Sequence, residues 1–352
     1  MPVPEKLQEL PARWGRLCLG VERFILRDLG LRTAESTALL ALSGGADSTA
    51  LLVLFRVLAP RLGMSLKAAH MDHGIRPEAR QEAESLRRLC AQCDVPLYCG
   101  ATSVPLFAQR TGRGLEEAGR TLRYRFLVGV QKASGADYIL AGHHLNDLAE
   151  DLLLRMTRGS GWPELCGMRA YDPDSGLVRP LLQVPKQELI NLLQDLKIPW
   201  HEDSSNQDPG YKRNRIRSRI LPLIMEENPR FLQHVLRLWR LGSLDRQDLE
   251  TRLCELRQGE RHPDQETVLL PGTELAPLSA SLRLRWIKDA LARLGPEQAL
   301  AENLFQLEQA WQESKQGAIL QFPGDKRARI YREGILLFRE SRSLRGVTSD
   351  EQ

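Results

Sequence analysis

The apolar run Thr37-Ala38-Leu39-Leu40-Ala41-Leu42 ends in Ser43-Gly44-Gly45-Ala46-Asp47-Ser48, and Thr49-Ala50-Leu51-Leu52-Val53-Leu54 follows at once. That order predicts a buried strand, a glycine turn crowded with hydroxyls, and the start of a helix, so the fold must accommodate a βα unit. Two glycines let the backbone turn tightly and approach a ligand closely. The unpaired N–H groups and positive dipole end of the new helix favour an anion such as phosphate. Ser43, Ser48 and Thr49 add hydroxyl donors. A carboxylate is out of place beside phosphate unless a cation lies between them, so Asp47 predicts a magnesium ion.

The same unit recurs. Apolar strands expected at 37–42, 65–70, 96–98 and 137–141 alternate with helices at 49–59, 78–93, 115–133 and 145–157. This alternation predicts an α/β fold, a doubly wound parallel sheet covered on both faces. Ligands on such sheets sit at the carboxyl ends of the strands, where Ser43, His70 and Gly142 fall. Leu7, Leu10, Trp14, Leu17, Val21, Ile25 and Leu29 keep near a 3.6 period and predict a helix over 5–29. Residues 159–210 are rich in turns, with one short helix at 186–196. From 229 the pattern is helical, over 229–257, 279–294 and 297–313. Short strands are then expected at 318–322, 328–331 and 335–338. Pro222 and Asn228-Pro229 break the pattern. The expected division is an N-terminal helix at 1–35, a sheet domain at 36–225, a smaller and mainly helical domain with short terminal strands at 226–340, and a disordered tail at 341–352.

Composition narrows the function. The 352 residues leave room for two domains, and 42% hydrophobic with 27% charged residues is ordinary for a soluble protein. No apolar run reaches the ~18 residues of a membrane span. Met1-Pro-Val-Pro-Glu-Lys-Leu-Gln lacks the basic-then-apolar layout of a secretory signal. Six cysteines in this length are no disulfide framework, and a reducing cytoplasm is expected. A net charge of +4 is a mild bias. Its distribution is more telling: Tyr211-Lys212-Arg213-Asn214-Arg215-Ile216-Arg217-Ser218-Arg219 carries five cations and no acid. That density suits a footprint on an RNA backbone, or else a solvated helix face.

Two further segments leave strand ends. His70-Met71-Asp72-His73-Gly74-Ile75-Arg76 brings two histidines and an arginine to the ligand edge. In Gly142-His143-His144-Leu145-Asn146-Asp147-Leu148-Ala149-Glu150, the residues His143, Asp147 and Glu150 fall at i, i+4 and i+7 and are expected on one helical face. Such a face can position an amine or take a proton. An acidic first turn favoured by the dipole explains Asp147 alone.

No G-x-x-x-x-G-K-[ST] run exists here. Ser43–Ser48 instead resembles the PP-loop, S-G-G-x-D-S, of the ATP pyrophosphatase superfamily. With it, in order, come the His70–Arg76 segment, Leu122-Arg123-Tyr124-Arg125, Gly142–Glu150, Arg158-Gly159-Ser160-Gly161, Arg179-Pro180-Leu181-Leu182, and Asp203-x-Ser205-Asn206 with Tyr211-x-Arg213-Asn214-x-Ile216-Arg217. Over about residues 36–225 the chain resembles the tRNA(Ile)-lysidine synthetase family, and Ile319-Leu320-Gln321-Phe322-Pro323-Gly324 resembles that family's accessory domain, so the resemblance implies a PP-loop ATP-binding catalytic domain at 36–225 and an accessory tRNA-binding domain at 226–340. The resemblance implies ATP and Mg2+ at Ser43, Gly44, Gly45, Ala46, Asp47 and Ser48 with His70, Asp47 being the metal ligand. It implies adenylation of the wobble cytidine of a CAU-anticodon isoleucine tRNA, attack by free L-lysine, and a dimer. Asp47, His143, Asp147 and Glu150 are the implied catalytic residues; His73, Arg76, Arg123, Arg213, Asn214, Arg215 and Arg217 are the implied substrate contacts. Asn146, Leu148 and Asp151 depart from the family pattern His-His-x-Asp-Asp-Gln-x-Glu-Thr. Asn146 cannot act as a base, while Asp151, i+4 from Asp147, is placed to restore the charge.

A tRNA sulfur transferase would share the PP-loop but needs reactive cysteines. Cys90-Ala91-Gln92-Cys93 falls in an expected helix away from the ligand edge. An inactive RNA-binding protein is a third reading, motivated by Asn146 and Leu148.

Overall fold

The structure is a computed structural model and describes residues 3–72, 74, 79–201, 210–264 and 266–339. His73, Arg76, the Asp203–Asn206 motif and the 341–352 tail lie outside the described residues. Contacts divide the chain into two compact units, Met1–Ser243 and Leu244–Gln352. The sequence placed this division near 225. It falls instead within a long helix, Phe231–Gln258, because Val235 and Trp239 bury their side chains with Leu148, Leu152 and Leu221 of the first unit.

The first unit is built on a six-stranded sheet: β1 (Thr37–Ala41), β2 (Ser65–Asp72), β3 (Leu97–Ala101), β4 (Tyr138–Ala141), β5 (Tyr171–Asp172) and β6 (Leu177–Val178). Their order is β3-β2-β1-β4-β6-β5. All neighbours run parallel except β5, which pairs antiparallel with β6. The doubly wound parallel sheet is therefore present. The β5–β6 edge is additional, and its two-residue strands are too short for a period-2 pattern to register.

Helices cover both faces. Ala38 and Leu40 point into a core with Trp14, Leu51, Phe55 and Leu192, while Leu39 joins Leu127 and Ile139 on the opposite side. Burial on both faces explains why β1 reads as an unbroken apolar run. The core helices on the first side include α1 (Ala12–Arg23), α2 (Ala46–Leu62) and α7 (Lys186–Asp195), and Leu86 and Cys90 of the 79–92 helix join the same core. The expected helix at 5–29 is divided by Pro11, which N-caps α1 and cannot donate within a preceding turn. Between them in sequence come α3 (Ala79–Gln92), α4 (Val104–Thr111), α5 (Leu115–Ser134) and α6 (Leu145–Met156). Helix α4 sits where a loop was expected; Ser103 caps it, accepting from the Leu106 N–H. After α7 come the short α8 (Lys212–Arg215), α9 (Leu221–Glu227) and the long helix α10 already described.

The second unit packs an antiparallel sheet of order β7-β10-β9-β8 against helices. Its strands are β7 (Thr267–Pro271), β8 (Ile319–Phe322), β9 (Lys326–Tyr331) and β10 (Gly334–Arg339). The helices α11 (Gly272–Leu275), α12 (Ala280–Arg293) and α13 (Ala301–Gln312) complete it. Trp286, Leu307, Ile330 and Leu337 are buried together at its centre.

Candidate nucleotide and RNA-base site

Strands β1 and β4 are neighbours, but the chain leaves them toward opposite edges of the sheet, β1 toward β2 and β4 toward β6. A crevice opens at the carboxyl ends of such a switch point. Ser43–Ser48 follows β1, and Gly142–Glu150 follows β4.

Gly44 adopts φ +87°, a left-handed conformation that a side chain resists. Gly45 N-caps α2, so Ala46, Asp47 and Ser48 form its first turn, three residues ahead of the expected helix start. The hydroxyls shape the turn. Ser48 Oγ donates to Gly45 O at 3.1 Å and accepts from the Ser43 N–H at 3.2 Å. Ser43 Oγ lies 3.1 Å from Ser48 Oγ. The Gly44 carbonyl accepts from the His201 N–H at 3.0 Å, placing His201 against the loop.

Gly142 lets the end of β4 press on this turn: a Cβ there would stand 3.0 Å from Asp47 O. Close approach brings His144 Nε2 to 3.4 Å from Asp47 Oδ2. His144 is the N-cap of α6. Its Nδ1 accepts from the Asp147 N–H at 3.2 Å, and Asp147 Oδ2 accepts from the His144 N–H at 3.1 Å. This is a capping box with histidine in the serine position. With Nδ1 accepting, the proton of neutral His144 lies on Nε2, facing Asp47. Burial lowers the His144 pKa, but the carboxylates of Asp147 and Asp47 outweigh it and hold the group above its usual value. The other oxygen of Asp47, Oδ1, is buried without a hydrogen-bond partner.

The sequence put His143 on the face of α6 with Asp147 and Glu150. It precedes the helix, because His144 takes the cap. Its Nδ1 is buried without a partner. Burial, countered by Asp147 but reinforced by Arg179, Arg123 and Arg213, pushes its pKa down to about 3, so His143 is neutral at pH 7. Arg123 lies near the same group, and burial lowers its own pKa.

Asp147 and Glu150 do share a face, and two arginines cover it. Arg213 donates from Nη2 to Asp147 Oδ1 at 3.1 Å and from Nε to Glu150 Oε2 at 2.9 Å. Arg217 donates to Asp147 Oδ1 at 3.0 Å, to Glu150 Oε1 at 2.6 Å and to Glu150 Oε2 at 2.9 Å. Burial raises the Asp147 pKa, yet His144, His143, Arg213 and Arg217 more than reverse it and hold the carboxyl well below the usual range. The expectation that Arg213 and Arg217 reach outward to phosphate therefore does not match the geometry: both turn inward to the acids. Arg215 donates to Gly210 O at 2.8 Å, and Asn214 O accepts from Ser218 Oγ at 2.7 Å. His70 is buried at the end of β2, its Nδ1 2.9 Å from Leu42 O. That bond ties β2 to the start of the loop.

The matches to known proteins agree with the geometry. A family model described as the PP-loop domain matches residues 22–224. A tRNA(Ile)-lysidine synthase of Nitratidesulfovibrio vulgaris is 42% identical over 312 residues, covering 84% of this chain and 90% of that protein. The chain belongs to the tRNA(Ile)-lysidine synthase family. Relatives of the same name from Thermosipho africanus and Enterococcus faecalis are 36% and 32% identical, over 71% and 82% of this chain. The chain spans only 60% and 66% of their lengths. Among solved structures, the U34-tRNA thiolase NcsA from Methanococcus maripaludis with its [4Fe-4S] cluster superposes with a TM-score of 0.53 at 18% identity, over 65% of this chain and 79% of that one. That likeness shows the fold alone.

The residues that depart from the family pattern have structural duties. Asn146 Oδ1 accepts from the Lys186 N–H at 2.9 Å and so caps α7. Leu148 is fully buried. Asp151 accepts from Arg155 Nε at 2.8 Å, so its charge serves that pair and does not restore one near Asp147. The thiol reading finds no support: burial pushes Cys90 up to about 12 and Cys93 up to about 11. Residues that sequence reasoning gave no role are His144, His201 and Arg179. An Asp three residues after His144 is a capping signal, and Arg179 opens the Arg179-Pro180-Leu181-Leu182 motif; nothing local marks His201.

Proposed function

We propose that the chain uses ATP to adenylate the C2 oxygen of the wobble cytidine in a CAU-anticodon isoleucine tRNA, and that the ε-amine of free lysine then displaces AMP to give lysidine. In the first step the bond between the α- and β-phosphates breaks and diphosphate leaves. In the second a C–N bond forms as the C–O bond to AMP breaks. The observation that carries this reading is the PP-loop at the β1/β4 switch point in a chain 42% identical to a tRNA(Ile)-lysidine synthase.

The loop N–H groups and the α2 dipole hold the phosphates. Asp47 suits a magnesium ion, because Oδ1 is buried and unpartnered. Among the described residues no three His, Cys, Asp or Glu converge on a preformed cage. That agrees with an ion held by one carboxylate and substrate phosphates. A magnesium ion bound there would offset charge on the leaving diphosphate. His144 orients Asp47 from behind. Asp147, ionised through the neutral range, is a weak proton acceptor but a strong anchor for an ammonium group. A substrate ammonium at Asp147 and Glu150 competes with the guanidiniums of Arg213 and Arg217.

Mass analysis of nucleosides tests the proposal. An isoleucine tRNA transcript incubated with ATP and lysine should yield lysidine, and a thionucleoside in its place would overturn the reading. Asp47→Asn should lower product formation by at least about a hundredfold, with tRNA affinity unchanged within about twofold.

A further inference from the structure

A nucleoside triphosphate brings several negative charges to the turn after β1, and the turn has no cation of its own to meet them. Ser43, Gly44, Gly45, Ala46, Asp47 and Ser48 include neither lysine nor arginine. A G-x-x-x-x-G-K-[ST] loop, by contrast, sends a lysine to the outer phosphates. Neighbouring basic groups are already engaged. Asp147 and Glu150 hold Arg213 and Arg217, and His144 stands between Asp147 and Asp47.

His201 is not engaged. Trp200 packs against the core of the first unit, which fixes the chain beside the turn. The His201 N–H then donates to Gly44 O at 3.0 Å. The imidazole is half-buried, and among the described residues it takes no hydrogen bond or ion pair. Gly44 shows where the ring lies. With φ +87° and no side chain, this glycine leaves a space in which a ligand can come close to the backbone. Apart from the adjoining residues, one atom stands within 4 Å of a Cβ built there: His201 Cδ2, at 4.0 Å. Cδ2 is bonded to Nε2, so a ring nitrogen belongs to the same edge. A Cβ on Gly45 would meet Ser43 Oγ at 3.5 Å and His201 O at 3.9 Å. The ring of His201 therefore borders Gly44, and its carbonyl borders Gly45.

We propose that His201 is a further phosphate-binding residue, whose imidazole donates from Nε2–H to an oxygen of the diphosphate portion of ATP seated against Gly44. A donor to an ionised phosphate makes a charge-assisted bond, shorter and stronger than one between neutral groups. The contact serves ATP and the diphosphate released from it alike, and AMP, which lacks those oxygens, does not engage it. The inference rests on the proposed function for the use of ATP and adds to the turn a side chain more than 150 residues away in sequence.

The test is calorimetric titration of the full chain, in Mg2+ buffer, with ATP, with inorganic diphosphate and with AMP. His201→Ala should weaken ATP and diphosphate about tenfold or more and leave AMP within about twofold. His201→Gln keeps an N–H donor and should recover most of that loss; the backbone bond to Gly44 O is open to both variants. In turnover the Ala variant should raise the KM for ATP by the same factor, with the KM for lysine and for tRNA unchanged. Unchanged diphosphate affinity in the Ala variant would overturn the inference. So would equal losses for AMP and diphosphate, because the side chain would then support only the shape of the turn. A Gln variant as weak as the Ala variant would exclude the donor role. Lysidine production with unaltered diphosphate binding in the Ala variant would defeat this inference alone. The expected losses in a chain whose product is not lysidine would defeat the proposed function alone.

Discussion

His143 joins two forces that act in the same direction: burial and three nearby guanidiniums both oppose its protonation. The consequence is a defined acid sensitivity. The folded group titrates at about 3, whereas an unfolded histidine titrates near ~6.5. Above pH ~6.5 both states are neutral and no stability depends on it. As the pH falls below that value, the unfolded chain binds a proton that the folded chain refuses, so stability declines by up to about 1.4 kcal/mol per pH unit. His144 has the opposite sign: its raised pKa contributes stability that is lost as the pH rises through its folded value. Asp147, held low, adds a loss only below the ordinary carboxylate range. His143→Gln should therefore flatten the denaturant-derived stability profile between pH 6.5 and about 4.5 and leave its alkaline limb unchanged. An acid limb as steep as that of the parent would show that His143 is protonated in the folded state.

Two helical segments meet at the cluster of Asp147, Glu150, Arg213 and Arg217, and the meeting determines how each is used. Helix α6 offers its acids at i and i+3, and the turns around α8 return the arginines at i and i+4. Two negative and two positive charges satisfy each other, with Glu150 only 1% exposed. Removing one member leaves a buried charge uncompensated. Arg217→Ala should cost about 2–4 kcal/mol of first-unit stability, discounted because its side chain is 29% exposed. Thermal melts with and without the companion change Glu150→Gln check this. The double variant should recover part of the loss, and additive losses would mean that the pair is not coupled. A short-range pattern made the site partly legible. Strand, glycine turn and helix start lie within eighteen consecutive residues, so Ser43–Ser48 could be placed from sequence. Asp147 and Glu150 share a face by helical spacing alone. Their arginine partners are more than sixty residues away. No local periodicity encodes that contact, and the cation run therefore read as an outward-facing patch. Likewise β7, β5 and β6 were missed because their pairing, not their composition, makes them strands.

Among the described residues the first unit holds four hydrophobic clusters and the second unit one, and the largest cluster of the first shares no buried residue with that of the second. One surrounds Trp14, Leu51 and Phe55, and the other surrounds Trp286, Leu307 and Ile330. The division falls inside α10, a helix whose two halves contribute to different cores. Separate cores imply separate cooperative units, so calorimetry should resolve two transitions. Trp286 is the largest lever on the second of them. It is completely buried, and its Nε1 donates to Glu260 Oε1 at 2.7 Å. Trp286→Ala removes that ring and one of the two hydrogen bonds to Glu260 Oε1, the other coming from Arg293 Nη2, a change of about 3–5 kcal/mol. It should lower the midpoint of one transition by roughly 5 °C or more and leave the other in place. ATP affinity should be retained, because Ser43–Ser48 and Asp47 take all their described contacts from the first unit. A single transition that moves as a whole would mean that the two cores fold as one unit.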